Sequence, residues 1–380
     1  MKKYNIDTNQ HEFVHKEDWD ILYMNLSHSG KFTVMGINQD AQTVIRVTET
    51  ATGKKVKLPQ LSAGSITSVS ISKSEKLLSF YHGSGKSTSD LYTYSIEDRK
   101  NTQLTESMNP EVNPAHLADV EVVRYKSFDG MEIPAVYYQP PQAARDKKVP
   151  GLIWVHGGPG GQSRVGYRAL IQYLANHGYA VLAVNNRGSS GYGKTFQTLD
   201  DQAHGEGDLD DCVAAKDFLI STGVVDANKI GIIGGSYGGY MVMAALAFRP
   251  DAFEAGVNIF GVTNWVRTLK SIPPWWEDFK ISLYKEMGNP ETDEDRLYSI
   301  SPLFHAGQIK KPVIVLQGAN DPRVLQVESD EMVEAVRKNG VTADYIVFDD
   351  EGHGFRKKEN QIKGNRSILK FLDKHLKGSD

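Results

Sequence analysis

Disulfides are excluded at once: the 380 residues contain one cysteine, Cys212, and a lone thiol has no partner within its chain. It lies in the helix-like run "DLDDCVAAKDFL", where a thiol reads as a small core residue rather than a nucleophile. Long apolar runs are also missing. No stretch approaches the roughly 18 apolar residues of a membrane span. The first residues, "MKKYNIDTNQ", have lysines but no apolar run behind them, so a secretory signal is not expected. Charge of one sign is lacking too. The 43 Lys and Arg stand against 47 Asp and Glu, a net charge of −4, which offers no basic footprint for nucleic acid. The expectation is a soluble cytoplasmic protein without nucleic-acid or membrane partners, unless a targeting segment has been cut away. What the chain does have is apolar content, 40% of its residues, enough for a sizeable core and about two domains.

The two halves differ in pattern. Residues 18 to 106 read as strands: "KFTVMGI", "TVIRVTET", "SVSISKSE", "KLLSFYH" and "LYTYSIED" are rich in β-branched and aromatic residues, with turn residues between them. A weak repeat runs through this part. "LSHSGKF" from Leu26 matches "ISKSEKL" from Ile71, an offset of 45 residues, and "VIRVTETATGKKVKL" matches "LYTYSIEDRKNTQL" at nearly the same offset. Such a period with four short strands per unit fits β-propeller blades. Only about two units are present, whereas propellers usually have about 4–8 blades. A small all-β sandwich is the alternative.

From about residue 119 strands alternate with helices. "VEVVRYKS" and "EIPAVYYQP" form a hairpin around Asp129-Gly130. Six more apolar strands follow: "GLIWVH", "YAVLAVN", "KIGIIGG", "EAGVNIF", "PVIVLQG" and "ADYIVFD". Helices are expected near 165–177, 208–221, from 237, near 326–339, and at the end. A long irregular stretch separates the sixth strand from the seventh. The pattern predicts an α/β fold with an eight-stranded, mostly parallel sheet whose first two strands are antiparallel. The expected division is an all-β segment at 1–112 and an α/β domain at 113–380.

Five glycines crowd one serine in "IGIIGGSYGGY". Gly234-Gly235-Ser236-Tyr237-Gly238 satisfies G-x-S-x-G between a strand and a helix, the nucleophile-elbow context. Small residues are needed two positions either side of the serine, where a side chain would meet the neighbouring strand and helix. A glycine-rich phosphate-binding turn is the other reading. A serine needs a base, and the base needs an orienting acid. In α/β-hydrolases these follow in the order Ser, Asp or Glu, His. Asp321 in "QGANDPRV" follows the seventh strand and His353 in "DDEGHGF" follows the eighth. Asp349 and Asp350 are rival acids, but they lie too near His353 in the chain to reach its far nitrogen comfortably. The oxyanion hole needs two donors. One is the N–H of Tyr237, after the serine. The other comes from "WVHGGPGGQ", with Gly158 preferred and Gly157 the alternative. His156 reads as a loop-ordering residue.

Six motifs together resemble the prolyl oligopeptidase family of serine peptidases: "HGGPGG", "NNRGSSGYG", "GEGDLDD", "GGSYGGY", "GANDPRV" and "EGHGF". Their order spans the whole second domain, and the acylaminoacyl-peptidase-like and dipeptidyl-peptidase-like enzymes are the nearest subgroup. The resemblance implies a full propeller ahead of the hydrolase, and here the chain departs, with a β part like the last two blades. It also implies that Arg323 bonds a substrate carbonyl near the scissile bond; a surface salt bridge is the other reading. Arg187 looks structural. Trp265, Trp275 and Trp276 either line an apolar pocket for the acyl side chain or pack their segment onto the sheet.

The expected activity is a serine hydrolase cleaving peptide or acyl-amide bonds of small peptides through an acyl-enzyme, with no cofactor and no metal. A carboxylesterase with the same triad is the alternative, since fold does not decide substrate. A noncatalytic interaction protein docking through its β segment is the third. Two blades leave strand edges open, so a homo-oligomer is expected, a dimer burying residues 18–106.

Overall fold

The computed structural model describes residues 2–378. Their packing forms two compact units. One runs to His116 and includes Arg164–Arg168 and Gly191–Gly193; the other holds Leu117–Ser163, Ala169–Ser190 and the chain from Lys194 onward.

The first unit opens with an exposed antiparallel pair, β1 (Lys2–Asn5) and β2 (Gln10–Phe13), which the sequence pattern did not announce. A three-stranded antiparallel sheet follows, β3 (Asp20–Leu26), β4 (Phe32–Gln39) and β5 (Gln42–Glu49). Then comes a four-stranded one, β6 (Ser65–Ile71), β7 (Leu77–Gly83), β8 (Asp90–Ser95) and β9 (Asn101–Gln103). On β5 and β7 alternate side chains point inward, as the two-residue period of a strand requires, whereas β4 is buried without a break from Phe32 to Asn38. Phe32, Val34, Ile45, Val47, Leu78, Phe80 and Tyr94 meet in one core.

The repeat in the sequence is a repeat in hydrogen bonding. Phe32 N–H donates to Ser27 Oγ at 2.9 Å, and Leu77 N–H donates to Ser72 Oγ at 3.2 Å. Gly30 and Glu75 occupy the same left-handed place in the two turns, with φ of 79° and 57°. In the second sheet β9 completes the meander; the matching place in the first holds only the bridge between Thr48 and Lys55. Two successive meanders of three and four strands match the two-blade reading.

The second unit is an eight-stranded sheet. Its elements are β10 (Asp119–Lys126), β11 (Glu132–Gln139), β12 (Val149–Val155), α1 (Ala169–Asn176), β13 (Ala180–Val184), α2 (Lys194–Gln197) and α3 (Gly207–Ser221). There follow β14 (Val225–Gly235), α4 (Tyr237–Phe248), β15 (Gly256–Ile259), α5 (Trp265–Lys270), α6 (Glu277–Met287) and α7 (Glu294–Ser299). Last come β16 (Val313–Gly318), α8 (Gln326–Lys338), β17 (Ala343–Phe348) and α9 (Lys358–Leu372). The spatial order is β10-β11-β13-β12-β14-β15-β16-β17. The β10–β11 and β11–β13 pairs are antiparallel and the others parallel. Every residue of β13 and β16 is buried, as expected for parallel strands covered on both faces. Strand order reverses around β12, which has β13 on one side and β14 on the other. Ligands collect at the carboxyl ends of strands beside such a reversal.

Two expectations change. The helix expected near 165–177 is shorter, because Arg164–Arg168 cluster with the β unit. The stretch between the sixth and seventh strands is not irregular but carries α5, α6 and α7. Phe279, Leu283 and Met287 recur every fourth residue of α6, which puts them on one helical face. Among the described residues, no helix is long and apolar enough to cross a membrane.

Candidate active site

The turn from β14 into α4 determines the place of Ser236. Its backbone sits at φ 58° and ψ −120°, a strained conformation for a residue with a side chain. The surroundings hold it there: Ser236 N–H donates to the carbonyl of Ile259 at 3.0 Å. A Cβ on Gly238 would lie 2.2 Å from the oxygen of Val155, and one on Gly234 would lie 2.4 Å from the oxygen of Gly238. Strand, turn and helix approach so closely that only glycine fits two residues before and after the serine.

The loops after β16 and β17 meet the serine. Gly318 and Gly352 are in close contact, since a Cβ on Gly318 would lie 2.4 Å from the Gly352 oxygen. Asn320 N–H donates to the Glu351 carbonyl at 2.9 Å. Glu351 in turn accepts from the N–H groups of Arg356 and Lys357, at 3.0 and 2.8 Å, which shapes the loop holding His353. His353 Nδ1 stands 2.7 Å from Asp321 Oδ2, and its Nε2 stands 3.0 Å from Ser236 Oγ. Asp321 is buried and accepts the N–H groups of Arg323 and Val324 at 2.8 and 3.0 Å on its other oxygen. Asp350 instead pairs with Lys357 and Asn360, and the Asp349 carbonyl accepts from Asn320.

A cavity of about 340 Å³ opens beside Ser236. Gly158 and Pro159 border it on one side; Trp265, Trp276 and Leu283 line the apolar wall; Arg323 stands at the rim. Gly157 is also near, since a Cβ there would lie 3.5 Å from Ser236 Cβ. Tyr237 is the first residue of α4, so its N–H has no acceptor within the helix. Trp265 is 2% exposed and packs edge-on against Tyr240 at 5.1 Å, so it is both wall and core. Trp276 faces the Arg323 guanidinium, 5.3 Å from its ring centroid. Among the described residues no carboxylate pairs with Arg323, so its reading as a surface salt bridge does not match the structure. Trp275 is a correction: it is 77% exposed and absent from the cavity wall. It lies mid-way in the short turn Pro274–Trp276 before α6, where neighbouring Trp276 takes the inward position.

His156 is within 2.8 Å of both Ser189 Oγ and the Gly157 carbonyl, as a loop-ordering residue should be. Arg187 bonds Asp211 at 2.9 Å and Asp129 at 2.9 Å. Cys212 is buried, and burial pushes its thiol up.

Behind the elbow lies a polar network that the sequence pattern missed. Tyr237 hydroxyl donates to Asp208 Oδ2 at 2.6 Å, and His204 Nδ1 is 2.7 Å from the same hydroxyl. Asp200 Oδ2 is 3.3 Å from His204 Nδ1. Burial, reinforced by the Asp208 and Glu286 charges, pushes Asp200 up to about 8. Burial raises Asp208 to about 6 and Glu286 to about 7, and lowers His204 to about 3. The acids of "DDQAHGEGDLDD" were visible in the sequence. Their meeting with Glu286 of α6 was not, because it depends on how α6 packs.

The family profile of the prolyl oligopeptidase family matches residues 165–379. Dipeptidyl aminopeptidase BIII of Pseudoxanthomonas mexicana is 44% identical over 235 residues, 61% of this chain and 34% of that protein. Dipeptidyl peptidase family member 6 of Caenorhabditis elegans is 35% identical over 336 residues, 82% of this chain and 45% of that protein. The chain thus spans under half the length of these relatives. A crystal structure of puromycin hydrolase superposes with a TM-score of 0.90 at 20% identity, over 100% of this chain and 58% of its own, a likeness of fold. With more than half of its residues matched by the profile, and most of its length aligned to the nematode relative, the chain belongs to the prolyl oligopeptidase family.

Proposed function

We propose that this protein is a serine peptidase cleaving peptide or acyl-amide bonds of small peptides through an acyl-enzyme. One observation carries the reading: the continuous path from Asp321 through His353 to Ser236, at 2.7 and 3.0 Å, beside a cavity. Ser236 Oγ attacks the substrate carbonyl carbon while His353 Nε2 takes the hydroxyl proton. His353 returns that proton to the leaving amine as the C–N bond breaks, and water repeats the cycle on the acyl-enzyme. Asp321 holds the imidazole with Nδ1–H toward itself and stabilises the imidazolium. The N–H groups of Tyr237 and Gly158 receive the oxyanion, each such donor being worth about 10²–10³ in rate. Arg323 donates to a substrate carbonyl, and the wall of Trp265 and Trp276 takes an apolar side chain. The family and the names of the relatives favour peptides over esters. We further propose that the polypeptide pairs with a second copy through residues 18–106.

The test is labelling by an active-site-directed fluorophosphonate, then a panel of p-nitrophenyl esters beside aminoacyl, N-acyl-aminoacyl and dipeptidyl anilides. Labelling at Ser236 with faster anilide than ester turnover supports the reading. Absence of labelling removes catalysis altogether, and ester-only turnover makes the protein a carboxylesterase.

A further inference from the structure

The buried network behind the nucleophile contains more than hydrogen bonds. Asp200 and His204 are 2% and 0% exposed. With Glu286 they bring one potential ligand atom each to within 4.8 Å of one another. Tetrahedral zinc with bonds of about 2.0–2.2 Å places ligand atoms roughly 3.3–3.6 Å apart, so a pair at the 4.8 Å limit closes by about 1.2–1.5 Å.

Two buried atoms there have no hydrogen-bond partner, Asp200 Oδ1 and His204 Nε2. Buried polar atoms without partners are costly. The proton on the Tyr237 hydroxyl, given to Asp208, leaves its oxygen to accept from His204 Nδ1–H. That assignment leaves Nε2 without a proton, in a ring that also lies against the Glu286 backbone. An imidazole whose other nitrogen is fixed by a hydrogen bond is the usual form of a metal-ligating histidine.

Charge points the same way. Asp200, Asp208 and Glu286 crowd together, yet among the described residues none of them forms an ion pair with Lys or Arg. Arg296 is nearby, but its guanidinium is used on the carbonyl oxygens of Gln202 and Met287. Buried carboxylates must be paired, protonated or bound to a cation.

We infer that Asp200, His204 and Glu286 form a divalent-cation site, with zinc, which accepts both imidazole and carboxylate ligands, as the probe ion. This departs from the expectation of no metal. The ion is structural rather than reactive, since Tyr237 and its hydrogen bonds separate it from Ser236. Glu286 lies on α6, which carries Leu283 and Phe279 of the cavity wall. A Cβ on Gly160, in the loop of the proposed oxyanion donor, would lie 3.6 Å from Glu286 Oε1. An ion held there ties α6 to the loop of residues 200–204 and steadies the wall of the cavity.

The test needs no substrate, so it stands or falls apart from the peptidase reading. Chelator-treated full chain is titrated with ZnCl₂ by calorimetry and melted with and without the ion. One saturable site per chain and a higher melting temperature are expected. Asp200→Asn, His204→Gln and Glu286→Gln each weaken binding more than about tenfold, as losing even an outer-shell partner of a metal does. Exposed Asp349→Asn leaves it unchanged. Glu286→Gln decides the matter if the two more buried variants fail to fold. The inference is overturned if the wild-type chain binds no zinc saturably, or if folded Glu286→Gln binds it within about threefold of wild type.

Discussion

A hydroxyl 3.0 Å from an imidazole nitrogen becomes a nucleophile only if that imidazole accepts its proton. In the proposed triad the carboxylate 2.7 Å from the other nitrogen sets that tautomer. Ser236→Ala is therefore expected to abolish turnover, and His353→Ala to cost about as much. Triad members act as a unit, on the order of 10⁶-fold in kcat, so the double variant adds little. Asp321→Asn preserves the fold but lowers kcat by about 10⁴, because the amide favours the wrong tautomer. Asp350→Asn, whose carboxylate faces Lys357 and Asn360, leaves kcat within about threefold. Steady-state kinetics on one anilide substrate checks the single variants and the double, and the reverse ranking of the two aspartates would move the acid.

At the scale of elements, the elbow depends on close backbone approach. Gly238→Ala places a methyl 2.2 Å from the Val155 oxygen, so β12, β14 or α4 has to move. A loss of about 3 kcal/mol or more is expected, at the upper end for overpacked sites. Gly307→Ala, with open space at its Cβ, is expected to stay within about 0.5 kcal/mol. Denaturant midpoints of the two variants make the comparison. α5 provides a second test. The Asn264 side chain accepts the Arg267 N–H at 3.1 Å and caps the helix that begins at Trp265. Asn264→Ala is expected to cost about 0.5–2 kcal/mol and to raise KM more than it lowers kcat, because α5 builds the wall and not the reacting groups. Neither α5 nor α6 was assigned from sequence. The apolar period of α6 was legible at Phe279, Leu283 and Met287, but the tryptophans, prolines and charges around it masked the pattern.

At the scale of the whole molecule, the β unit presents an open edge. β3 is the outer strand of its sheet, and Leu22 and Leu26 on it are 49% and 59% exposed. Open edges with apolar side chains pair readily, and two-fold pairing is the commonest closed form. Light scattering of the 380-residue polypeptide across a concentration series is expected to show a dimer. A charged residue at Leu26 is expected to weaken it. A strict monomer at high micromolar concentration would rule out the assembly.

The sequence by itself determined the strand-to-helix alternation, the turn of Ser236, and the chain order that singles out Asp321 and His353. Each follows from short-range causes: strand and helix periods, the steric demands of a tight turn, and loops that begin where a strand ends. The 45-residue repeat belongs with them, since the same serine-to-backbone bond recurs at Ser27 and Ser72. Only the tertiary structure decided the rest. It turned Trp276 inward and left Trp275 outside, and it brought Glu286 to Asp200 and His204. Those outcomes rest on how α6 packs against segments distant in the chain. Burial and the pairing of charges are set by that packing, which no local pattern encodes.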